Sequence, residues 1–290
     1  MNLEGRRESS NVEDRRGMSM GKKAGIGGIG GIIVAVLIAF MSGGNVNLGD
    51  VMQQMGQGAE VTEQTGDHEF SAEEQELAEF SKKILAGTED VWTKVFRENG
   101  LGEYQPPKMV LYTGQTNTGC GTGNAQMGPF YCSADQTVYI DLSFFMNMRQ
   151  QLGADGDFAY AYVIAHEVGH HVQYLIGTLN EAHQQMARMS EAQSNRISVR
   201  LELQADFYAG VWAHHDNEMY GSLEDGDLEE AIICAQKIGD DYLQKKAQGY
   251  EIPDSFTHGT SAQRSKWLKL GLQTGDIRQG NTFQQSDATL

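Results

Sequence analysis

The stretch FAYAYVIAHEVGH, residues 158–170, decides the fold that we expect for this chain. An unbroken apolar run leads directly into His166-Glu167-Val168-Gly169-His170, a complete H-E-x-x-H motif. Residues four apart lie on one face of a helix, so both imidazoles project side by side. Two neutral imidazole nitrogens can then bind one zinc ion at about 2.0–2.1 Å. The pattern predicts a buried helix over 154–176 that carries two zinc ligands.

Glu167 lies next to the first expected ligand. A carboxylate there can act as general base towards a zinc-activated water and later pass the proton to a leaving amine. The other interpretation is a surface helix with solvated histidines, but the apolar run before the motif favours burial, where these side chains would be costly without a partner. His171 points about 100° away from His170, and we interpret it as a packing or surface residue.

A third zinc ligand is expected, because a catalytic site uses three protein ligands and keeps a fourth position open. Glu202 is the best candidate for the third ligand, although Glu202 alone is also compatible with an ordinary exposed helix acid. Asp206 follows four residues later on the same helix face and can accept the N–H of a ligating histidine. The predicted cofactor is Zn²⁺, while sites of this composition accept other divalent metals too.

The spacing of these residues resembles a known pattern. H-E-V-G-H followed about 30 residues later by E-L-Q-A-D is similar to the gluzincin pattern H-E-x-G-H … E-x-x-A-D of CAAX prenyl proteases and HtpX-type membrane proteases. The resemblance implies that Glu202 is the third zinc ligand and that Asp206 supports a ligand histidine.

A closer resemblance covers nearly the whole chain. The sequence resembles the bacterial membrane-anchored neutral zinc metallopeptidase family in five blocks. They are VEDRRG (12–17), GPFYCSADQTVYIDLSFF (128–145), AHEVGHHVQ (165–173), LELQADFYAGVWA (201–213) and FTHGTSAQR (256–264).

His258 and Arg264 in the last block are similar to the H-P-x-x-x-x-R segment of the CAAX-protease group. The resemblance implies that His258 faces the substrate carbonyl and stabilises the oxyanion, a role that needs a donor opposite the zinc. Alternatively, His258 caps a helix that begins near Ser261. Arg264 could instead pair with an acid such as Asp206.

An apolar segment suggests a membrane anchor. Residues 24–41, AGIGGIGGIIVAVLIAFM, hold no charge over 18 residues, which is near the lower limit for a spanning helix. Basic residues precede the segment, so the positive-inside rule places the N-terminus in the cytoplasm. We therefore expect a single-pass protein of the bacterial inner membrane with its catalytic domain on the periplasmic side. A cleaved signal peptide is the rival interpretation.

The domain organisation follows from this anchor. We expect a disordered, basic cytoplasmic N-terminus (1–23), the transmembrane anchor (24–41), a flexible linker (42–70), the zinc metallopeptidase domain (71–272) and a polar tail with little order (273–290). Ser71 and Glu74 form a capping box, which predicts a helix start. Further helices are expected at 180–213, as one long helix or a broken pair, and at 227–247.

Short strands are expected at 109–112 and 137–142, on either side of a Gly-rich loop at 113–128. The predicted fold class is α+β: a mostly helical, zincin-like metallopeptidase domain with a small β-sheet, preceded by one transmembrane helix. Strand 137–142 could bind a substrate backbone as an edge strand, or be an ordinary core strand.

The three cysteines allow several states. Cys120 and Cys132 could form a disulfide in an oxidising compartment, could remain two thiols, or, as a weaker idea, could bind zinc. Cys234 lies on an apolar helical face and is expected to be a buried small side chain.

Composition limits the partners. The net charge of −17 argues against nucleic-acid binding, since nothing could neutralise a run of phosphates. The expected partners are a protein or peptide substrate and the membrane. The predicted function is hydrolysis of peptide bonds in envelope proteins or peptides by an endopeptidase that uses a zinc-activated water with Glu167 as general base. The alternative is a non-proteolytic envelope binding or assembly factor that keeps zinc for stability.

Overall fold

The chain folds as a mostly helical α+β structure with a small sheet, as predicted. This computed structural model describes residues 1–18 and 70–290. The helices are α1 (Ala72–Asn99), α2 (Ser143–Asn147), α3 (Asp157–Leu175), α4 (Thr178–Met186), α5 (Glu191–Tyr220), α6 (Asp227–Lys237), α7 (Asp240–Gln248) and α8 (Ser261–Thr274). The region predicted at 180–213 is therefore a broken pair, α4 and α5, and the region at 227–247 also divides in two.

The described strands form one four-stranded sheet and one hairpin. They are β1 (Val12–Asp14), β2 (Lys108–Tyr112), β3 (Gln115–Thr118), β4 (Gly121–Asn124), β5 (Phe130–Cys132) and β6 (Thr137–Asp141). The sheet has the order β1-β2-β6-β5, with only the β5–β6 pair antiparallel, and β3 pairs with β4. The strands predicted at 109–112 and 137–142 are thus confirmed. Strand β6 has a neighbour on each side, so the idea that it binds substrate as an edge strand is wrong.

Helix α1 begins as the capping box predicts. The Glu74 amide donates to the Ser71 hydroxyl at 3.2 Å, and the Ser71 amide donates to the Glu74 carboxylate at 3.0 Å. The helix then continues without a break through Gly87. A Cβ on Gly87 would lie 2.7 Å from an Arg6 guanidinium nitrogen and 2.8 Å from an Asp216 carboxylate oxygen. The glycine therefore makes room for an ion pair beside the helix.

Helices α3, α5 and α8 cross closely at small residues. A Cβ on Gly169 of α3 would lie 3.0 Å from the carbonyl oxygen of Ala205 in α5. On another part of α5, a Cβ on Gly210 would lie 2.2 Å from the Leu268 carbonyl oxygen of α8, and Gly271 meets the backbone of Phe207 in the same way. These crossings bring three buried helix backbones together, so side chains from all three can reach one place.

The N-terminal arm, which we define as residues 1–18, is ordered, and the prediction of a disordered cytoplasmic segment is wrong. Its strand β1 pairs with β2 in parallel register, Val12 opposite Met109. Arg6 forms two hydrogen bonds with the buried carboxylate of Asp216, at 2.7 and 3.2 Å. The arm looked disordered because it is polar, but its charges are matched by acids of the domain.

The predicted localisation is also wrong. A single-pass topology would place the arm and the domain on opposite sides of a membrane, whereas both contribute strands to one sheet. The predicted anchor (24–41) and all of the predicted linker except Phe70 lie outside the described residues. Among residues 1–18 and 70–290, no helix combines the length and the apolar character needed to cross a membrane.

The C-terminal tail folds onto the domain, contrary to our expectation of little order. Thr282 is fully buried and accepts a hydrogen bond on its carbonyl oxygen from the Arg200 guanidinium at 2.5 Å. The indole N–H of Trp267 donates to the carbonyl oxygen of Leu290 at 3.3 Å. The tail lacks apolar periodicity because it is held largely through its backbone carbonyls, which leave little trace in a sequence pattern.

The cysteines adopt one of the arrangements expected. Cys120 and Cys132 form a disulfide, with their Cα atoms 5.9 Å apart. Cys120 lies in the turn between β3 and β4, so the disulfide attaches this hairpin to β5. Cys234 is a free, fully buried thiol, as predicted.

Candidate metal centre

The predicted zinc ligands meet at the crossing of α3 and α5. The Nε2 atom of His166 lies 3.1 Å from one carboxylate oxygen of Glu202, and the Nε2 atom of His170 lies 3.5 Å from the other. The three potential ligand atoms all lie within 4.8 Å of one another. Both imidazoles therefore present the same nitrogen, Nε2, to a shared point beside Glu202.

Each imidazole is held by an acceptor on its far nitrogen. The Nδ1 atom of His166 lies 2.8 Å from Asp206, and the Nδ1 atom of His170 lies 2.9 Å from the amide oxygen of Gln173. The Gln173 amide nitrogen donates to the carbonyl of Leu201 at 2.7 Å, which fixes its oxygen towards His170. Acceptors at both Nδ1 atoms favour the tautomer with Nδ1–H, and this leaves the Nε2 lone pairs free for a metal.

Asp206 is the centre of a buried polar network, in the supporting position that the sequence predicted. Besides His166, it accepts hydrogen bonds from the Tyr162 hydroxyl at 2.5 Å and from two guanidinium nitrogens of Arg264, both at 2.9 Å. Burial alone would raise the pKa of Asp206, but Arg264 and His166 outweigh it, and the pKa falls to about 2. Asp206 is therefore an anion throughout the physiological range, and Arg264 has the structural role that we considered.

The carboxylates also control the charge on the histidines. Burial lowers the pKa of His166, yet Asp206 and Glu202 more than compensate and raise this pKa to about 10. The pKa of His170 is likewise raised, with Glu202 opposing the effect of burial. A positive charge is thus favoured between the imidazoles and Glu202. A proton and a metal ion compete there for the Nε2 lone pairs of His166 and His170.

Glu167 is buried beside the ligands without a hydrogen-bonding partner among the described residues. Its side chain belongs to α3 and is largely shielded from solvent. Burial raises the pKa of Glu167, and the neighbouring imidazoles of His166 and His170 oppose that rise. A carboxylate that is buried, unpaired and more basic than usual has the properties of a general base.

His258 approaches the same Glu202 oxygen as His166, and Thr257 and Asp240 hold it there. The His258 Nε2 atom is 3.9 Å from a Glu202 oxygen, and its Nδ1 atom is 2.9 Å from the Thr257 hydroxyl and 3.5 Å from Asp240. The other oxygen of Asp240 accepts backbone N–H groups from Thr257, His258 and Gly259 at 2.8, 2.6 and 2.9 Å. His258 does not cap α8, because Thr260 does so.

The residues present fit zinc. Two imidazole nitrogens and one carboxylate are a ligand set that catalytic zinc uses. Ligand atoms around a tetrahedral zinc are separated by about 3.3 Å, which is 2.05 Å taken at the tetrahedral angle. The distances of 3.1 and 3.5 Å between the Nε2 atoms and Glu202 are close to that edge length. His166, His170 and Glu202 would hold the ion.

His171 does not belong to the centre, in agreement with the packing role expected for it. It is fully buried, with Nδ1 2.8 Å from the Tyr131 hydroxyl and Nε2 2.7 Å from the carbonyl oxygen of Gln105. Burial lowers its pKa to about 4. His171 thus fixes β5, which carries Tyr131, and the Gln105 segment against α3.

Three residues of the centre were missed by sequence reasoning. Gln173 lies three residues after His170 on the same helix, and this spacing could have identified it. Tyr162 lies four residues before His166, and it was interpreted only as part of an apolar run. Asp240 gave no signal, because an aspartate in the first turn of a helix is ordinary.

Two imidazoles and a carboxylate converge on one point with a buried glutamate on the same helix, which is the residue set expected of a metallopeptidase centre. Residues 1–283 match the model of a family described as "Putative neutral zinc metallopeptidase". The chain belongs to this family of neutral zinc metallopeptidases, and the resemblance seen in its sequence is confirmed. Its membership supports a zinc-dependent peptidase at the level of the family.

Relatives extend over the chain but carry no described function. The protein named "Uncharacterized protein YpfJ" of Escherichia coli K12 is 51% identical over 292 residues, covering 99% of this chain and all of the relative. "Uncharacterized protein Mb2605" of Mycobacterium bovis is 43% identical over 197 residues, or 64% of this chain and 66% of the relative. No solved structure matches the chain, so the zincin-like character of the fold stays a prediction.

Proposed function

We propose that this protein is a zinc endopeptidase in which His166, His170 and Glu202 hold the metal and Glu167 acts as general base. The observation that carries the proposal is the common orientation of the two Nε2 atoms towards Glu202, with both Nδ1 atoms already bonded to acceptors. Such preorganisation costs no rearrangement when a metal binds.

Each side chain then has a defined task. Zinc, when bound, supplies a Lewis acid that polarises the scissile carbonyl and makes water more acidic. Glu167 takes a proton from the attacking water at its carboxylate and delivers it to the leaving amine. His258, supported by Thr257 and Asp240, donates to the developing oxyanion. Asp206 and Gln173 keep the two imidazoles in position.

Strand β5 supports cleavage within a chain rather than at its end. Among the described strands it has a neighbour on one side only, β6, and it packs against α3 through Tyr131 and His171. An extended peptide can add to such an edge through main-chain hydrogen bonds, which require no free terminus. This assigns to β5 the substrate-binding role that the sequence had suggested for β6.

The test is Glu167→Gln, which removes the base while keeping the size of the side chain. We expect the variant to retain one equivalent of zinc and to cleave casein roughly 10²–10⁴-fold more slowly than the wild type. Glu229→Gln, at an exposed position of α6, is the matched control and should keep full activity. Wild-type turnover in the Glu167→Gln variant would contradict the proposed mechanism.

A chelator separates this function from the alternative of a zinc-stabilised binding factor. A structural zinc is usually enclosed by four protein ligands, whereas three potential ligand residues converge here. We expect casein cleavage to stop when zinc is removed and to return when zinc is added back. Stoichiometric zinc without chelator-sensitive cleavage of casein or a peptide library would favour the binding factor.

A further inference from the structure

A second group of potential metal ligands lies at the far end of α5. His214, His215 and Glu218 place one ligand atom each within 4.8 Å of one another. Among the described residues, this group is one of two outside the candidate metal centre, and it is the one that contains imidazoles. None of its three residues has a task in the proposed function.

Backbone carbonyls determine which nitrogen of each imidazole is free. The Nδ1 atom of His214 lies 2.7 Å from the Leu272 carbonyl oxygen, and the Nε2 atom of His215 lies 2.9 Å from the Gly275 carbonyl oxygen. A carbonyl oxygen only accepts, so each of these nitrogens carries the hydrogen. In a neutral imidazole the other nitrogen then has a lone pair, which is Nε2 in His214 and Nδ1 in His215.

Both lone pairs are directed at the same carboxylate. The His214 Nε2 atom lies 3.4 Å from one oxygen of Glu218, and the His215 Nδ1 atom lies 3.0 Å from the other. Lone pairs do not bond to a carboxylate unless a proton or a cation lies between them. The two distances are close to the edge of about 3.3 Å expected between ligands of a tetrahedral zinc. The candidate metal centre shows the same relation between its imidazoles and Glu202.

The surroundings favour a positive charge and hold the imidazoles in place. The group lies in the last turns of α5, and its carbonyl partners lie at the end of α8, so the negative ends of two helices converge here. Gly275 is also required beside His214, because a Cβ would approach the ring to 2.3 Å. Packing against Gly275 therefore positions the His214 ring, and the Gly275 carbonyl positions the His215 ring.

Lys94 of α1 now supplies the positive charge. Its ammonium nitrogen lies 3.3 Å from the His215 Nδ1 atom and 3.5 Å from Glu218. Both distances are long for charge-assisted hydrogen bonds, and the lysine side chain is partly exposed. A flexible lysine that is weakly held can move away when a cation with a higher charge arrives.

We propose that His214, His215 and Glu218 form a second site for a divalent transition metal, of the class of Zn²⁺. The ion would replace the Lys94 ammonium and link the end of α5 to the end of α8 through the two imidazoles. Two nitrogens and one carboxylate select zinc over Mg²⁺ or Ca²⁺, which prefer sets made of oxygen ligands. This proposal does not depend on the peptidase mechanism.

The experiment is a zinc titration of the full chain that already contains one equivalent of zinc. We expect a second equivalent to bind to the wild type and to raise the melting temperature, whereas MgCl₂ should have no effect. Glu218→Gln should weaken the affinity for the second zinc equivalent by about 10–100-fold and leave binding of the first equivalent unchanged. Glu229→Gln is the matched control, and Glu218 is exposed enough for its variant to fold.

Lys94→Met gives a result in the opposite direction. Removing the competing ammonium should tighten the second zinc equivalent by roughly tenfold, because the metal no longer displaces a charge. Binding of a single equivalent by the wild type would overturn the proposal. A second equivalent that binds equally well to Glu218→Gln would overturn it too, since that ion would lie elsewhere. Either result leaves the test of Glu167 unaffected.

Discussion

At the scale of single residues, the orientation of the two imidazoles depends on acceptors of different kinds. His166 is held by a carboxylate, Asp206, and His170 by an amide, Gln173. A carboxylate makes its imidazole more basic than an amide does. The two sides of the centre therefore differ in charge, and the Gln173 side can be altered without breaking an ion pair.

Gln173→Met tests this support. Methionine keeps the approximate volume but accepts no strong hydrogen bond, so the His170 ring loses its orientation. We expect zinc affinity to fall by about 10–100-fold, measured by competition with a chelating dye. Gln204→Met is the control, because Gln204 is also buried and bonds to Gln173 without touching His170. Equal zinc affinities in the two variants would argue against the role of Gln173.

Asp240 gives a prediction for pH. Burial raises the pKa of Asp240, but His258 and the backbone N–H groups lower it by more than burial raises it. The pKa of Asp240 in the folded state is therefore below the ordinary value. Its ionised form therefore stabilises the fold above about pH 4, the pKa in the unfolded chain, and this contribution is lost as the pH falls through the folded-state pKa. Asp240→Asn should reduce the free energy of unfolding most near pH 7.

The measurement is urea unfolding of both proteins between pH 7 and pH 3. The difference in unfolding free energy between wild type and Asp240→Asn should shrink below pH 4, because the unfolded chain binds a proton at Asp240 before the folded protein does, and it should disappear once the pH is below the folded-state pKa. A difference that stays constant over this range would mean that the carboxylate charge contributes nothing.

The sequence predicted the four residues whose type and spacing carry the chemistry. Helical periodicity placed His166 with His170, and Glu202 with Asp206, on shared faces. The roles of Glu202 and Asp206 were implied by the resemblance to the gluzincin pattern. Asp240 could not be found in this way. It reaches His258 through a turn between α7 and α8, and the conformation of such a turn is not encoded in a periodic pattern.

At the scale of elements, the distance between the ligands is set by the crossing of α3 and α5. Gly169, the fourth residue of the motif, lies against the backbone of Ala205, which is three residues after Glu202 on α5. The zinc ligands come from both helices, so any widening of this crossing separates the imidazoles from Glu202. The glycine in H-E-V-G-H thus has a geometric role, although the motif itself leaves that position open.

Gly169→Ala should widen the crossing. The new methyl group would lie 3.0 Å from the Ala205 carbonyl oxygen, and a backbone atom must move to accept it. We expect the free energy of unfolding to fall by about 1–3 kcal/mol and zinc binding to weaken. Thermal unfolding measures the first effect and metal titration the second.

Gly271→Ala is the matched control for this variant. Its methyl group would collide with the Phe207 backbone and part α8 from α5, which strains the pair of Arg264 with Asp206 but does not separate α3 from Glu202. It should lower stability with a smaller effect on zinc affinity. If both variants weakened zinc binding equally, the α3–α5 crossing would not be what sets the ligand distance.

At the scale of the whole molecule, the N-terminal arm is a structural part of the domain. Arg6 packs over the ring of Tyr220 at 3.7 Å and pairs with Asp216, while β1 extends the sheet. The sequence favoured disorder here because burial through ion pairs leaves no apolar pattern. The helical core was predictable for the opposite reason, since its apolar faces repeat at a regular interval.

Arg6→Ala should destabilise the whole domain. It leaves the buried Asp216 carboxylate without its cation, at a cost on the order of 3 kcal/mol. The control is Glu8→Ala in the same arm, whose pair with Lys82 is exposed and should contribute less than about 1 kcal/mol. Urea unfolding measures the free energy of unfolding of both variants. Equal values for Arg6→Ala and Glu8→Ala would show that the arm is only loosely attached.

The pairing of β1 with β2 also has a kinetic consequence. Val12 and Met109 are neighbours in the sheet but are far apart along the chain, so their contact closes a long loop. Helices α3 and α5, which carry the candidate metal ligands, are joined by a much shorter stretch of chain, so we expect them to associate before β1 completes the sheet. The candidate metal centre can therefore assemble while the N-terminal arm is still unpaired.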